Sequence, residues 1–178
     1  MCLDESGLSL RPQRCRMWTP RGQTPLLHAN FNWSSLTVTA ALTPRRMYFR
    51  VYPKATDQTQ AIAFLAHLVR QIPCPLLLIW DRLPVHRGAL VQQYLRSLDG
   101  WIQQEYLPAY APELNPVEYV WADWKQHELP NLCPAGRSEL SHLARRTLRR
   151  LSRRARLIPA CWQHSGLDLS GSIFRGTQ

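Results

Sequence analysis

The sequence predicts an α/β fold, a mixed central sheet flanked by helices, with a basic helix towards its C-terminal end. Three observations carry this. From Pro75 to Leu83 the chain reads PLLLIWDRL, and Leu76, Leu77, Leu78, Ile79 and Trp80 show no polar alternation, which marks a strand covered on both faces. Strand patterns come first and helical and strand patterns then take turns, the order expected of a mixed α/β sheet. Between Arg137 and Arg156 an apolar stripe at helical spacing faces a run of arginines. At 178 residues the chain suits one domain, large enough to bury a core without disulfides or structural metals.

MCLDESG begins with a short apolar start and continues into Asp4, Glu5, Ser6 and Gly7, which predicts a strand running straight into a turn. A second short strand is expected near Arg16 to Trp18, with a turn at Pro20, Arg21 and Gly22. Thr37, Val38 and Thr39 favour a strand over Ser35 to Leu42, and Met47 to Tyr52 alternates in character, so the two should pair as a hairpin across Thr43 to Arg46. Thr56 and Asp57 offer an N-cap to a helix whose apolar residues, Ala61 to Ile72, recur at helical spacing until Pro73 stops it. That helix crosses over to the strand ending at Asp81. Another helix is expected from about Arg87 to Leu98, then a strand from Trp101 to Leu107.

Pro108, Pro112 and Pro116 hold an extended loop until Asn115 caps a helix whose first helical position is Pro116. Val117, Val120, Trp121 and Trp124 mark its packed side. After a break at Pro130 to Gly136, Ser138 can cap a long helix in which Leu140, Leu143, Ala144, Thr147, Leu148, Leu151 and Ala155 share one face. Arg145, Arg146, Arg149, Arg153 and Arg156 take the opposite face, with Arg150 and Arg154 at its borders. The domain is drawn over residues 1–160, and residues 161–178 are expected to form a flexible tail.

The 22 basic and 12 acidic residues leave a formal net charge of +10, which favours a polyanionic partner, nucleic acid first. Most of that excess lies between Arg137 and Arg156, where eight arginines meet one acidic residue, Glu139. A charge run is usually a solvated face, but this one has no compensating glutamates at helical spacing, which tilts it towards phosphate contact. The five cysteines are widely spaced without a Cys-x-x-Cys pair, as in a reduced cytosolic protein. No apolar run reaches membrane-spanning length, and Asp4 and Glu5 stand where a signal peptide would be basic and then apolar, so a soluble, unexported protein is expected.

Asp81 ends a buried strand on its carboxyl side, where ligands gather in open sheets; it also suits the cap of the following turn, punctuated by Pro84 and Gly88. Glu118 lies in the first turn of its helix, at the positive end of the dipole, a place that surface glutamates also favour. Asp4, Asp81 and Glu118, from separate elements, could together hold divalent cations for phosphodiester cleavage. Their spacing alone does not make them converge.

Four segments carry a resemblance: DESG at Asp4, MWTPRGQTP at Met17, LLLIWDRLPVHRG at Leu76 and LPAYAPELNPVEYVWADWK at Leu107. In this order they resemble the catalytic domain of DDE-superfamily transposases, in the bacterial insertion sequence six-thirty branch related to mariner elements. Thirty-six residues separate Asp81 from Glu118, which fits that family. The resemblance covers most of residues 1–125. It implies an RNase H-like fold, a catalytic triad of Asp4, Asp81 and Glu118 holding two Mg²⁺ or Mn²⁺ ions, and cutting and joining of double-stranded DNA at element ends and target. His86 and Asn115 match family positions and receive supporting roles, His86 near the site and Asn115 as the cap presenting Glu118; a purely structural histidine is the equal alternative for His86.

The resemblance further implies a dimer when active, acting on the nucleoid in a bacterial cytoplasm. Family members carry a helix-turn-helix region before the first aspartate, whereas three residues precede Asp4 here. A separately encoded helix-turn-helix partner is one expectation, and a non-catalytic DNA-binding remnant is the alternative. A structure-selective nuclease of the same fold, such as a resolvase, is a third, which NPVEYVW disfavours.

Overall fold

The computed structural model describes residues 1–16, 18–24, 26–27 and 34–167. The first strand, β1 (Cys2–Ser9), pairs antiparallel along its whole length with β2 (Ser35–Leu42), from Cys2 opposite Leu42 to Ser9 opposite Ser35. The turn expected at Asp4 to Gly7 is therefore absent. DESG is turn-like in composition, but a full ladder of partners on β2 overrides that local preference. The strand expected at Arg16 to Trp18 is also absent: neither end of that segment is in a strand, Trp18 is fully exposed, and Met17 lies outside the described residues. The turn that follows is present, with the Gln23 N–H donating to the Pro20 carbonyl at 3.1 Å and Gly22 at positive φ.

β2 and β3 (Met47–Tyr52) form the expected hairpin, closed by the Thr43 N–H donating to the Arg46 carbonyl at 2.9 Å. α1 (Gln58–Gln71) starts in a reciprocal capping box between Asp57 and Gln60, which satisfies two otherwise orphaned N–H groups. It crosses to β4 (Leu76–Trp80), which lies parallel to β1, and after α2 (Ala89–Ser97) the chain adds β5 (Ile102–Tyr106) parallel to β4. The sheet order is β3-β2-β1-β4-β5, mixed as expected, with β1 and β4 at its centre.

Two apolar clusters cover the sheet. On one face α1 and α2 pack against Leu3, Leu78 and Trp80 through Phe64, Leu65, Leu68 and Val91. On the other, α3 (Pro116–Asp123), α4 (Arg137–Ser152) and α5 (Leu157–His164) pack against Cys2, Val38, Ala40 and Leu42. The expectation that β4 is covered on both faces holds only in part, because Leu77 is 46% exposed. The cause is placement: α3 and α4 lie over β1, β2 and β3, which leaves the start of β4 open on that face.

Asn115 caps α3 as expected, its side-chain oxygen accepting from the Val117 N–H at 3.1 Å, and Pro116 takes the first helical position. Val117, Val120, Trp121 and Trp124 are all buried, and the helix runs on into a π-helical turn, Trp124–Glu128. α4 begins one residue before the expected cap: Gly136 is the N-cap and Ser138 lies inside the helix. α4 also ends at Ser152, so Arg153 is its C-cap, Ala155 is exposed in the turn that follows, and Arg156 precedes α5. The boundary drawn after residue 160 is displaced for the same reason. α5 crosses it, burying Cys161 and Trp162, and the Trp162 indole donates to the Thr43 carbonyl at 2.9 Å, so these two residues belong to the core rather than to a tail. Residues 168–178 lie outside the described residues.

Asn115→Ala should lower stability by about 1 kcal/mol, the usual loss for an N-cap, because the Val117 N–H would be left buried without its acceptor. The midpoint of chemical denaturation checks this; an unchanged midpoint would mean that Pro116 and the packing of Val117 hold the start of α3 unaided.

Candidate active site

β1 and β4 run parallel with Cys2 level with Ile79, so Asp4, two residues further along β1, and Asp81, the first residue after β4, come to the same end of neighbouring strands. Asp4 does not leave its strand, as the sequence reading expected; it is an interior residue of β1, 8% exposed. Its Oδ2 accepts from the Trp121 indole at 2.8 Å in a buried contact. Trp121 lies one helical turn beyond Glu118 on α3, so the helix that presents one carboxylate also grips another. Glu118 itself is exposed in the first turn, beyond the Asn115 cap.

Asp4, Asp81 and Glu118 line one cavity of about 180 Å³, walled also by Leu107, Pro108, Tyr110, Ala111, Pro112 and Asn115. Asp81 caps the turn and also lines the cavity, its Oδ1 accepting from the Leu83 N–H at 3.0 Å. The same oxygen is 2.7 Å from Nδ1 of His86, whose Nε2 is 3.2 Å from Oε1 of Glu5. His86 is fully buried and stacks on Trp80, ring centroids 4.2 Å apart and planes 7° from parallel. A carboxylate at each ring nitrogen favours the protonated imidazole.

Burial, then the nearby charge of Glu118, pushes the Asp4 carboxyl up to about 7, against the opposing pull of the Trp121 hydrogen bond. Burial also pushes Asp81 upwards, but the hydrogen bonds from His86 and the Leu83 N–H, together with the His86 charge, outweigh it and leave Asp81 below the usual carboxylate range. Burial opposes the charge on His86, yet Asp81 and Glu5 raise it to about 9.

Over residues 1–140 the sequence matches the family model described as DDE superfamily endonuclease. The chain belongs to this family. Among solved structures, the Mos1 transposase paired-end complex with left transposon end superposes with a TM-score of 0.63 at 19% identity, covering 92% of this chain and 53% of that one. The mariner Mos1 paired-end complex with Mg gives 0.63 at 19% identity, covering 91% and 52%. The Mos1 transposase catalytic domain with Raltegravir and Mn gives 0.59 at 15% identity, covering 92% and 81%. These likenesses establish the RNase H-like fold of the chain, which spans about half the length of the transposase chains in the paired-end complexes. No curated protein sequence matches the chain.

The donor set of this cavity suits a hard divalent cation, since Asp4, Asp81 and Glu118 are carboxylates and no basic side chain among the described residues lines the cavity with them. The upward push on Asp4 points the same way, because a cation would relieve the crowding of Asp4 against Glu118. As they stand, no three His, Cys, Asp or Glu side chains among the described residues close around a common point. Asp81 accounts for part of this, since its Oδ1 is committed to His86 and the Leu83 N–H.

The arginines of the C-terminal region divide into two sets. Arg150 and Arg154 pair with the buried Glu128, and Arg154 also reaches Asp123 at 2.9 Å, so acids from α3 and the π-helical turn supply the compensation that helical spacing along α4 lacks. Arg145 donates to the Val51 carbonyl at 3.4 Å and to Ser141. Arg146, Arg149, Arg153 and Arg156 are exposed and take part in no ion pair among the described residues.

Sequence reasoning missed Glu5 and the indole of Trp121. The strand period puts Glu5 on the opposite face from Asp4, but nothing in the sequence places His86 against it. Trp121 was legible as core, and its helical offset from Glu118 was the available signal.

The Asp4 carboxyl titrates higher in the folded chain than in the unfolded one, so its contribution to stability is fully present below the unfolded carboxylate range and is lost as pH rises through about 7. In the absence of divalent ions, Asp4→Asn should match the wild type near pH 4 and exceed it at pH 8 by roughly 1–3 kcal/mol. Melting curves across that range test it, and equal stability at pH 8 would show that Asp4 is not strained by its burial.

Proposed function

We propose that this chain is the catalytic domain of a DDE transposase of the bacterial insertion sequence six-thirty branch, cleaving DNA at the ends of a mobile element and joining the freed 3′ ends to a target. The observation that carries this reading is the placement of Asp4, Asp81 and Glu118, from β1, the end of β4 and the start of α3, on one cavity. The similarity to Mos1 structures, some containing Mg or Mn, supports it. Nothing favours a non-catalytic remnant, since all three carboxylates are present and line one cavity.

In this reading Asp4, Asp81 and Glu118 hold Mg²⁺ or Mn²⁺, two ions in the full site. When bound, such ions supply the positive charge that activates water and balances the attacking and leaving oxygens. The protein's part is orientation: Trp121 fixes one oxygen of Asp4, His86 and the Leu83 N–H aim Asp81, and Asn115 sets the start of the helix that carries Glu118. Arg145, Arg146, Arg149, Arg153 and Arg156 take the phosphates of double-stranded DNA, with Arg145 the most committed to the protein itself.

The catalytic unit extends to the end of α5. Sequence-specific reading of the element ends falls to a helix-turn-helix region or a separately encoded partner, and the active form is a dimer holding two ends. The protein then works on the nucleoid in the bacterial cytoplasm.

Glu118→Gln changes an exposed side chain outside the core, so it should leave the melting temperature within a degree or two while reducing Mg²⁺- or Mn²⁺-dependent nicking of supercoiled plasmid about hundredfold or more, at least the loss typical for an outer partner of a metal site. Nicking that persists in Glu118→Gln would remove the site assignment.

Duplex affinity should fall steeply with salt and depend little on sequence. The combined change Arg146→Ala, Arg149→Ala and Arg153→Ala should flatten the slope of log affinity against log salt by about 2–3, one lost counterion for each phosphate contact. An unchanged slope would return α4 to being a solvated face.

A further inference from the structure

One wall residue of the cavity stands apart from the carboxylate chemistry by its exposure and its backbone. Tyr110, in the loop between β5 and α3, has a fully exposed side chain (101%) and a φ of +59°. Among the described residues, the other non-glycine residues at positive φ are Asp99 and Asn131, types that tolerate the left-handed region through their short polar side chains. Tyrosine has no such excuse. A glycine would meet the backbone demand of this turn with less strain, so the ring is the part that glycine would not supply.

The loop backbone is anchored on both sides of Tyr110. At its start the Leu107 N–H donates to the carbonyl of Trp80, the last residue of β4, at 2.8 Å. At its end a 3₁₀ turn, Pro112–Leu114, is tied down by the Tyr119 hydroxyl donating to the Glu113 carbonyl at 3.1 Å. Pro108 and Pro112 limit the freedom of the segment between. A flat, uncharged ring is thus carried on an anchored loop at the edge of an acidic cavity, exposed to solvent.

We propose that Tyr110 is a stacking platform for the nucleobase next to the scissile phosphate, a contact that deepens the reading of the cavity as a DNA-cleaving site and rests on it. Asp4, Asp81 and Glu118 can serve a phosphodiester only through cations, and the group on DNA that a flat apolar ring can take is the face of a base. In an intact duplex those faces are covered by their neighbours. Tyr110 therefore engages a base at a strand end or beside a nick, where one face is open, and favours DNA whose reacting nucleotide is unstacked.

The test uses the full chain and a short duplex with 2-aminopurine as the nucleotide at a recessed 3′ end, titrated in Ca²⁺ while binding is followed separately by anisotropy. Wild type and Tyr110→Phe should quench the 2-aminopurine emission on binding. Tyr110→Ala should bind a blunt, fully paired duplex within about twofold of wild type, lose the quench, and lose about tenfold in its preference for frayed over paired ends. A quench of wild-type depth in bound Tyr110→Ala overturns the proposal and leaves the carboxylate site untouched. Failure of the wild type to bind DNA at all would remove both this inference and the function it rests on. Tyr110→Gly gives a check without DNA: its melting temperature should equal or exceed that of wild type, and a clear drop would show that the ring serves the fold.

Discussion

The carboxylate of Asp4 is held on an interior strand, under the indole of Trp121 and among apolar side chains, and the organisation of the site depends on keeping it there. A buried carboxylate is costly unless something hydrogen-bonds it or neutralises it. The Trp121 N–H meets part of the need, and in doing so ties α3 to β1 across the layer interface. Glu118, one helical turn away on the same helix, is then delivered to the same cavity. Helix position and carboxylate position are thus one constraint.

The two aspartates, one inside β1 and one just past the end of the neighbouring β4, are pushed in opposite directions. Asp4 faces burial and Glu118 and rises; Asp81 faces His86 and falls. His86 can take this part because it is sealed against Trp80 and bonded to Glu5 on its far side, so its charge is shared between two carboxylates instead of being left uncompensated in the core. A site with one strained and one satisfied carboxylate is primed to gain from a cation at the strained one. That follows from the packing of one histidine.

The arginine-rich region shows how one run of like charges divides between structure and surface. Glu128, buried on the π-helical turn after α3, collects Arg150 and Arg154 and so couples the end of α4 to the helix of the site. A buried glutamate without these partners would be an uncompensated charge, which makes the pairing structural whatever else the arginines do. The exposed Arg146, Arg149, Arg153 and Arg156 have no such duty and enter no ion pair among the described residues.

Much of this was legible in the sequence because it is local. The β2–β3 hairpin, the start of α1, the span of β4 and the Asn115-Pro116 start of α3 follow from turn chemistry, capping and apolar period, and each acts within a few residues. The four family-like segments, from DESG to NPVEYVW, named Asp4, Asp81 and Glu118 as candidates. The rest depended on distant partners. DESG reads as a turn until the length of β2 beside it makes it a strand, and Cys161 and Trp162 read as tail until the Thr43 carbonyl and the underside of the sheet claim them. Only the parallel register of β1 on β4 brings Asp4 and Asp81 to the same end of neighbouring strands, and only the packing of His86 shows that Glu5 shares its charge. Local composition determined which groups this protein has available; pairing between remote segments decided which of them face each other, because burial and charge act across space and not along the chain.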